Sequence, residues 1–183
     1  MKTYRNFSTE RLTLRPTNIG DAAFIVDLLN SPLWIQNIGD RNVYNISDAE
    51  TFVKTKMLPQ LEVLGYGNYT VIRDSDEALM GTVGLYDRAG TEGIDIGFAF
   101  LPQYFGQGYA LESAQRTMQA AVQEFGLKII GGYTLPSNKA SQKLLEKLGL
   151  KFVDMRKMPN DKEEIMYYEY RVVEVLSVPK KVN

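Results

Sequence analysis

Apolar residues recur along the chain in two rhythms, one of period two and one of three to four, and their order predicts the architecture. Leu12 and Leu14 alternate with charged or polar neighbours across residues 11–15, a half-buried strand. The apolar-spaced run behind Asp21, reaching Asn30, reads as a helix. Ser47 and Glu50 match a capping box, in which each satisfies an orphan N–H near the other, so a helix is expected from near Asp48. Pro59 lacks an N–H and crowds the preceding turn, which predicts a kink or restart there, and Gly65 marks the helix end.

Three β-branched or aromatic runs follow, at residues 69–73, 79–86 and 94–101, separated by polar turns as in an antiparallel meander. Ala110, Ala114, Met118, Ala121, Val122 and Phe125 then fall at helical spacing, with Glu112, Gln115, Arg116, Gln119 and Gln123 opposite them. A strand at 129–134 completes a strand, helix, strand unit, normally a right-handed crossover between parallel strands. Residues 139–148 make a second helix, ended by Gly149, and strands at 152–156 and 165–173 flank a hairpin loop at 159–164. The expected class is α+β (α/β mixed): one central, mixed, mostly antiparallel twisted sheet of about seven strands flanked by helices, with 94–101 and 129–134 parallel. With no repeat or linker, residues 1–183 read as one domain.

Composition narrows the chemistry. A formal net charge of -1 argues against a nucleic-acid partner or a membrane surface. The first fifteen residues hold Lys2, Arg5, Glu10 and Arg11 and so no apolar signal core, and no run reaches the roughly 18 apolar residues of a membrane span, which fits a cytoplasmic protein. Zero Cys removes thiolate nucleophiles and Cys-based metal sites, and zero His removes the commonest general base and metal ligand. No metal is expected, and proton transfer falls to Asp, Glu, Tyr, Lys, Ser or water.

The chemistry concentrates between Ile94 and Ala110. Ile94, Ile96, Phe98 and Phe100 share one strand face, a core face. Asp95, Gly97, Ala99 and Leu101 share the other, whose small side chains leave room for a ligand along the strand. Gly106 and Gly108 let successive N–H groups form a concave nest at a helix N-terminus, where the helix dipole favours phosphate. The plainer alternative is that both glycines only shape the turn. The dinucleotide fingerprint needs a third glycine where Leu111 stands, and the P-loop Gly-Lys-Ser/Thr is absent.

Gln103-x-x-Gly106-x-Gly108, after the Asp95-Ile96-Gly97-Phe98 strand, resembles the coenzyme A signature of the GNAT superfamily of N-acetyltransferases. Asn138-Lys139-Ala140-Ser141, running on to Gly149, is similar to that family's second motif, and residues 9–16 resemble the opening strand of its branch of ribosomal-protein N-terminal acetyltransferases. The resemblance spans residues 9–152. It implies that the strand at 94–101 splays from its parallel neighbour to admit the pantetheine arm. It further implies that Phe100, Leu101, Gln103, Gly106, Gln107, Gly108, Tyr109, Ala110 and Asn138 hold acetyl-coenzyme A. Asp95 matches the position of a general base in many members; otherwise it is a solvated carboxylate, with Glu92 upstream in reserve. The family's usual acid, a Tyr, aligns with Leu145. That leaves Ser141, Tyr133, Tyr167, Tyr168 and Tyr170 as candidates, or no acid at all, since a thiol of pKa about 8.5 leaves unaided.

The implied reaction is direct attack of a neutral amine on the acetyl thioester, with no enzyme-bound intermediate. A protein α-amino group is neutral near pH 7 some two to three decades more often than a lysine (pKa about 7.7–8.0 against about 10.4), which suits a modest base; small-molecule amines are equally open. A non-catalytic acyl-coenzyme A sensor is the rival reading. The enzyme is expected to act as a monomer or homodimer, with acceptor specificity coming from residues 21–64 and 159–164.

Overall fold

The computed structural model describes residues 4–157 and 164–173. Its strands are β1 (Phe7–Ser8), β2 (Leu12–Pro16), β3 (Asn68–Arg73), β4 (Ala78–Asp87), β5 (Ile94–Phe100), β6 (Ile129–Thr134), β7 (Lys151–Lys157) and β8 (Glu164–Arg171). They form a single eight-stranded sheet in the order β1-β2-β3-β4-β5-β6-β8-β7, antiparallel at every pairing except β5 with β6. The strand beyond the seven expected is β1, two residues long and too short for any rhythm to register. Of the hairpin loop expected at 159–164, all but Glu164 lies outside the described residues.

The helices are α1 (Ala22–Leu29), α2 (Pro32–Asn37), α3 (Ile46–Phe52), α4 (Leu58–Leu64), α5 (Tyr109–Gln123) and α6 (Lys139–Lys147). Asn18 and Asp21 cap the short turn leading into α1 reciprocally: the Asn18 Oδ1 accepts from Gly20 N–H at 2.8 Å, and Asp21 Oδ2 accepts from Asn18 N–H at 3.0 Å. The cap of α3 differs from expectation. Asn45, not Ser47, is extended and accepts from Asp48 N–H at 3.0 Å, while Asp48 accepts from Tyr44 N–H at 3.0 Å. The cap sits two residues earlier, because Asn is as good a cap as Ser, and the returning carboxylate takes the N–H of the residue before the cap. Ahead of Pro59 the helix widens into a π turn over Val53–Met57, resumes as α4 and stops at Gly65, whose φ is 79°.

Two cores flank the sheet. On one face Ala114, Met118 and Ala121 of α5 and Leu145 of α6 pack on Ile96, Phe100 and Ile130. On the other, α1, α3 and the π turn bury Ile25, Leu28, Ala49 and Val53, with Leu79, Ala99 and Leu101 packed beneath. The bulky face of β5 is thus a core face. Its small face is not a trough: a Cβ on Gly97 would come within 2.8 Å of the Tyr86 ring and 3.3 Å of Arg88. Gly97 makes room for the protein's own side chains, and the opening lies at the edge of β5 instead.

Candidate active site

That edge is open because β5 and β6 pair only at Ile94 with Ile130 and Asp95 with Gly131, then part, while β4 stays paired along all of β5. Leu101 N–H donates to the Met80 carbonyl at 2.9 Å. By the alternation of an antiparallel ladder, the backbone groups of Ala99 and Leu101 therefore face β4, and those of Phe98 and Phe100 face the gap. Donors and acceptors on one side of a parting strand pair are what an amide-bearing chain needs to lie along it.

The gap leads to the turn between β5 and α5. Pro102–Tyr104 make one tight helical turn, and Gln107 Nε2 donates to the Gln103 carbonyl at 2.9 Å. Gly106 has φ 73° and Gly108, the cap of α5, φ 84°, a region that L side chains avoid. A Cβ on Gly106 would meet no heavy atom within 4 Å. The first bond within α5 runs from Glu112 N–H to the Gly108 carbonyl at 3.0 Å, and Gly108 has no side chain with which to cap the preceding N–H groups. Those of Tyr109, Ala110 and Leu111 therefore converge at a positive helix end, an anion-binding arrangement. The Tyr109 ring is buried beneath Arg11, whose guanidinium lies 4.5 Å from its centroid.

Asp95 is neither exposed nor solvated. It is buried at the last paired position before the gap, and Arg88 grips both its oxygens, at 2.6 and 3.0 Å. Burial pushes its carboxyl above the usual carboxylate range, and the Arg88 charge and hydrogen bonds pull part of the way back. Beside Arg88, the Tyr86 hydroxyl donates to Asn68 Oδ1, and burial drives its pKa far up. Glu92 is exposed in the loop between β4 and β5, where it lines a cavity of about 240 Å³ with Gly90, Thr91, Tyr133, Arg156 and Lys157.

Strand alternation sorts the four tyrosines. Tyr133 and Tyr167 lie on the Asp95 side, their ring centroids 5.1 Å apart, and Gly131 leaves the space in which Tyr167 approaches Asp95. The Tyr167 hydroxyl donates to Glu169 at 3.0 Å, and burial, then that bond, pushes its pKa up to about 12. Tyr168 and Tyr170 lie on the helix side and pack into the core, away from Asp95. Leu145 is buried there too: a Cβ on Gly132 would come within 2.7 Å of it. Asn138 caps α6 by accepting from Ser141 N–H at 3.1 Å, which fixes both at one helix end. Sequence reasoning missed Arg88, which reads as a turn residue, and Arg11 with Glu112, whose meeting spans 101 positions.

Residues 11–151 match the acetyltransferase (GNAT) domain family. An uncharacterized N-acetyltransferase of Bacillus subtilis, YnaD, is 25% identical over 92% of this chain and 97% of its own. A GNAT-family acetyltransferase from Bacillus anthracis superposes with a TM-score of 0.74 at 25% identity, covering 92% of this chain and 98% of that one. A putative ribosomal-protein-serine acetyltransferase from Vibrio cholerae superposes with a TM-score of 0.76 at 19% identity, covering 92% and 98%. The family match over most of the chain accords with the parting β5 and β6 and the glycine turn: the chain belongs to the GNAT acetyltransferase family and is an acyltransferase.

Proposed function

We propose that the protein transfers an acetyl group from acetyl-coenzyme A to a primary amine, a protein α-amino group or a small-molecule amine, in a ternary complex. The observation that carries this is the junction of two features, the β5–β6 gap and the uncapped start of α5 behind Gly106 and Gly108. Acetyl-coenzyme A, the donor that GNAT acetyltransferases use, would supply the activated acetyl thioester. The backbone of Phe98 and Phe100 is directed to its amide-bearing arm, and the N–H groups of Tyr109, Ala110 and Leu111 to its pyrophosphate, with Gln103, Gln107 and Asn138 at the rim. The residues present fit such a ligand, since the Gly106 side of the turn is free of side chains.

The amine nitrogen forms the new bond to the acetyl carbon as the carbon–sulfur bond breaks. Asp95 takes the proton the nitrogen sheds, through water where the shorter Asp side chain does not reach. Its burial supports this role, because a carboxylate with a raised pKa is a better base at neutral pH. Ser141 is the candidate donor to the departing sulfur. On the acceptor side, Glu92, Tyr133 and Arg156 line the cavity at the β4–β5 loop, a candidate place for the amine. The resemblance of residues 9–16 and the fold shared with the Vibrio cholerae protein make a protein N-terminus the first acceptor to try.

The test is to incubate purified protein with acetyl-coenzyme A and a panel of N-terminal peptides and small amines, following thiol release and identifying products by mass. Acetylated product with stoichiometric thiol is expected. Binding of the cofactor with no product from any amine would overturn the transfer reading.

A further inference from the structure

Residues 9–12 resemble a family motif and lie outside the gap, yet they reach the glycine turn from β2. Thr9 and Arg11 converge on one residue of α5. Thr9 Oγ1 donates to Glu112 Oε1 at 2.6 Å, Arg11 N–H to the same oxygen at 3.1 Å, and Arg11 Nε to Oε2 at 2.8 Å. The Arg11 guanidinium also donates to the Gln107 carbonyl, Nη1 at 3.3 Å and Nη2 at 3.2 Å, and lies over the Tyr109 ring. A Cβ on Gly108 would sit 3.4 Å from it. One cation thus holds the carbonyl just before the left-handed turn, the aromatic ring just after it and a carboxylate in the first turn of the helix.

We propose that Arg11 and Glu112 are positioning residues for the donor substrate: the pair braces the Gln107–Gly108 turn, and Arg11 neutralises an anion in the same first helical turn as the N–H groups that would receive pyrophosphate. This rests on the reading of that turn as the coenzyme A site. Without Arg11, Glu112 would present an unscreened negative charge to an approaching polyanion; as one of a pair it leaves the helix end positive. Thr9 completes the arrangement by satisfying the remaining lone pair of Glu112 and accepting from Leu12 N–H at 3.1 Å, which ties the brace to β2.

The experiment titrates coenzyme A calorimetrically into the full chain and into Arg11→Met, Glu112→Gln and the double variant, at low and high salt. Thermal unfolding without ligand runs in parallel. Arg11→Met should weaken coenzyme A binding by about tenfold, as expected for one uncompensated charge at this range, and high salt should narrow the gap. Adding Glu112→Gln should recover most of the loss even though it removes further hydrogen bonds. With an amine that the parent enzyme acetylates, KM for acetyl-coenzyme A should rise in Arg11→Met while kcat holds. A double variant no better than Arg11→Met, or an Arg11→Met that binds like the parent, overturns the proposal. Failure of the parent itself to bind coenzyme A overturns the site reading instead.

Discussion

Arg88 holds the Asp95 carboxylate by both oxygens, its Nε 2.6 Å from Oδ2 and its Nη2 3.0 Å from Oδ1, at the last residue of β5 to pair with β6. A forked pair of this kind fixes the direction in which a carboxylate presents its free lone pairs, besides stabilising its charge.

The first prediction concerns pH. Asp95 accepts a proton only when ionised, so activity should fall as pH drops through its pKa. Burial raises that pKa and Arg88 lowers it again. Replacing Arg88 by Gln removes the lowering influence, so the acid limb of kcat/KM against pH should move to higher pH. Asp95→Asn should lower kcat by about 100-fold or more with coenzyme A affinity little changed. An acid limb that stays in place in Arg88→Gln would remove Asp95 from the proton path.

The glycine turn gives the second. Gly106 has φ 73°, so any side chain there costs roughly 1 kcal/mol of backbone strain, but a Cβ would meet no neighbour. Gly106→Phe should therefore fold with a Tm within several degrees of the parent while its ring covers the N–H cluster. Loss of two hydrogen bonds to a charged phosphate predicts coenzyme A binding weaker by about 100-fold. Unchanged affinity in a folded Gly106→Phe protein would refute the phosphate assignment. Gly108 is less informative, because a side chain there also meets Arg11.

Most of the sheet was legible because its strands put their bulky apolar residues on one face, so that period two shows in Leu12 and Leu14 or in Ile94 to Phe100. An interruption at Pro59 and the Gly65 stop were legible as backbone chemistry, though not that the interruption would be a π turn. The site was legible only where one segment builds it, as at Gly106 and Gly108. Partners from distant segments left no local signal: Arg88 reads as a turn residue until the meander folds, and Glu112 reads as a solvated helix position until Thr9 and Arg11 reach it. Asp95 illustrates the limit. Its alternation placed it on the correct face, yet whether that face was solvated depended on Tyr86 and Arg88, which fill the space above Gly97.

Leu145 supplies the third prediction. The family resemblance implies an acid, usually a Tyr, at this position, but the Leu145 side chain is buried among core residues, including Ile130 and Leu150, over Gly132. The larger phenol cannot enter without shifting neighbours, so Leu145→Tyr should cost about 1–3 kcal/mol, read as a lower Tm, and should not raise kcat. A gain in kcat would mean that the position does face the departing thiol.

The last prediction separates fold stability from chemistry. Asp21, 2% exposed, accepts from Arg15 at 2.8 and 2.5 Å, from Asn18 N–H and from the Thr70 hydroxyl, which is itself 2.8 Å from the Thr17 hydroxyl. Burial alone would raise its pKa, but the Arg15 bonds and the other donors outweigh burial and hold the carboxyl below the ordinary Asp value. A depressed carboxylate stabilises the fold above its unfolded pKa, about 3.9, and that contribution is lost as pH falls through the lower folded value. Asp21→Asn should therefore be about 3 kcal/mol less stable than the parent at pH 7, because it leaves the Arg15 charge uncompensated. In urea titrations repeated at decreasing pH, the difference should shrink below about pH 4 as the parent loses what the variant never had. A difference that stays constant down to the acid transition would assign the stability to packing and hydrogen bonding rather than to the Asp21 charge.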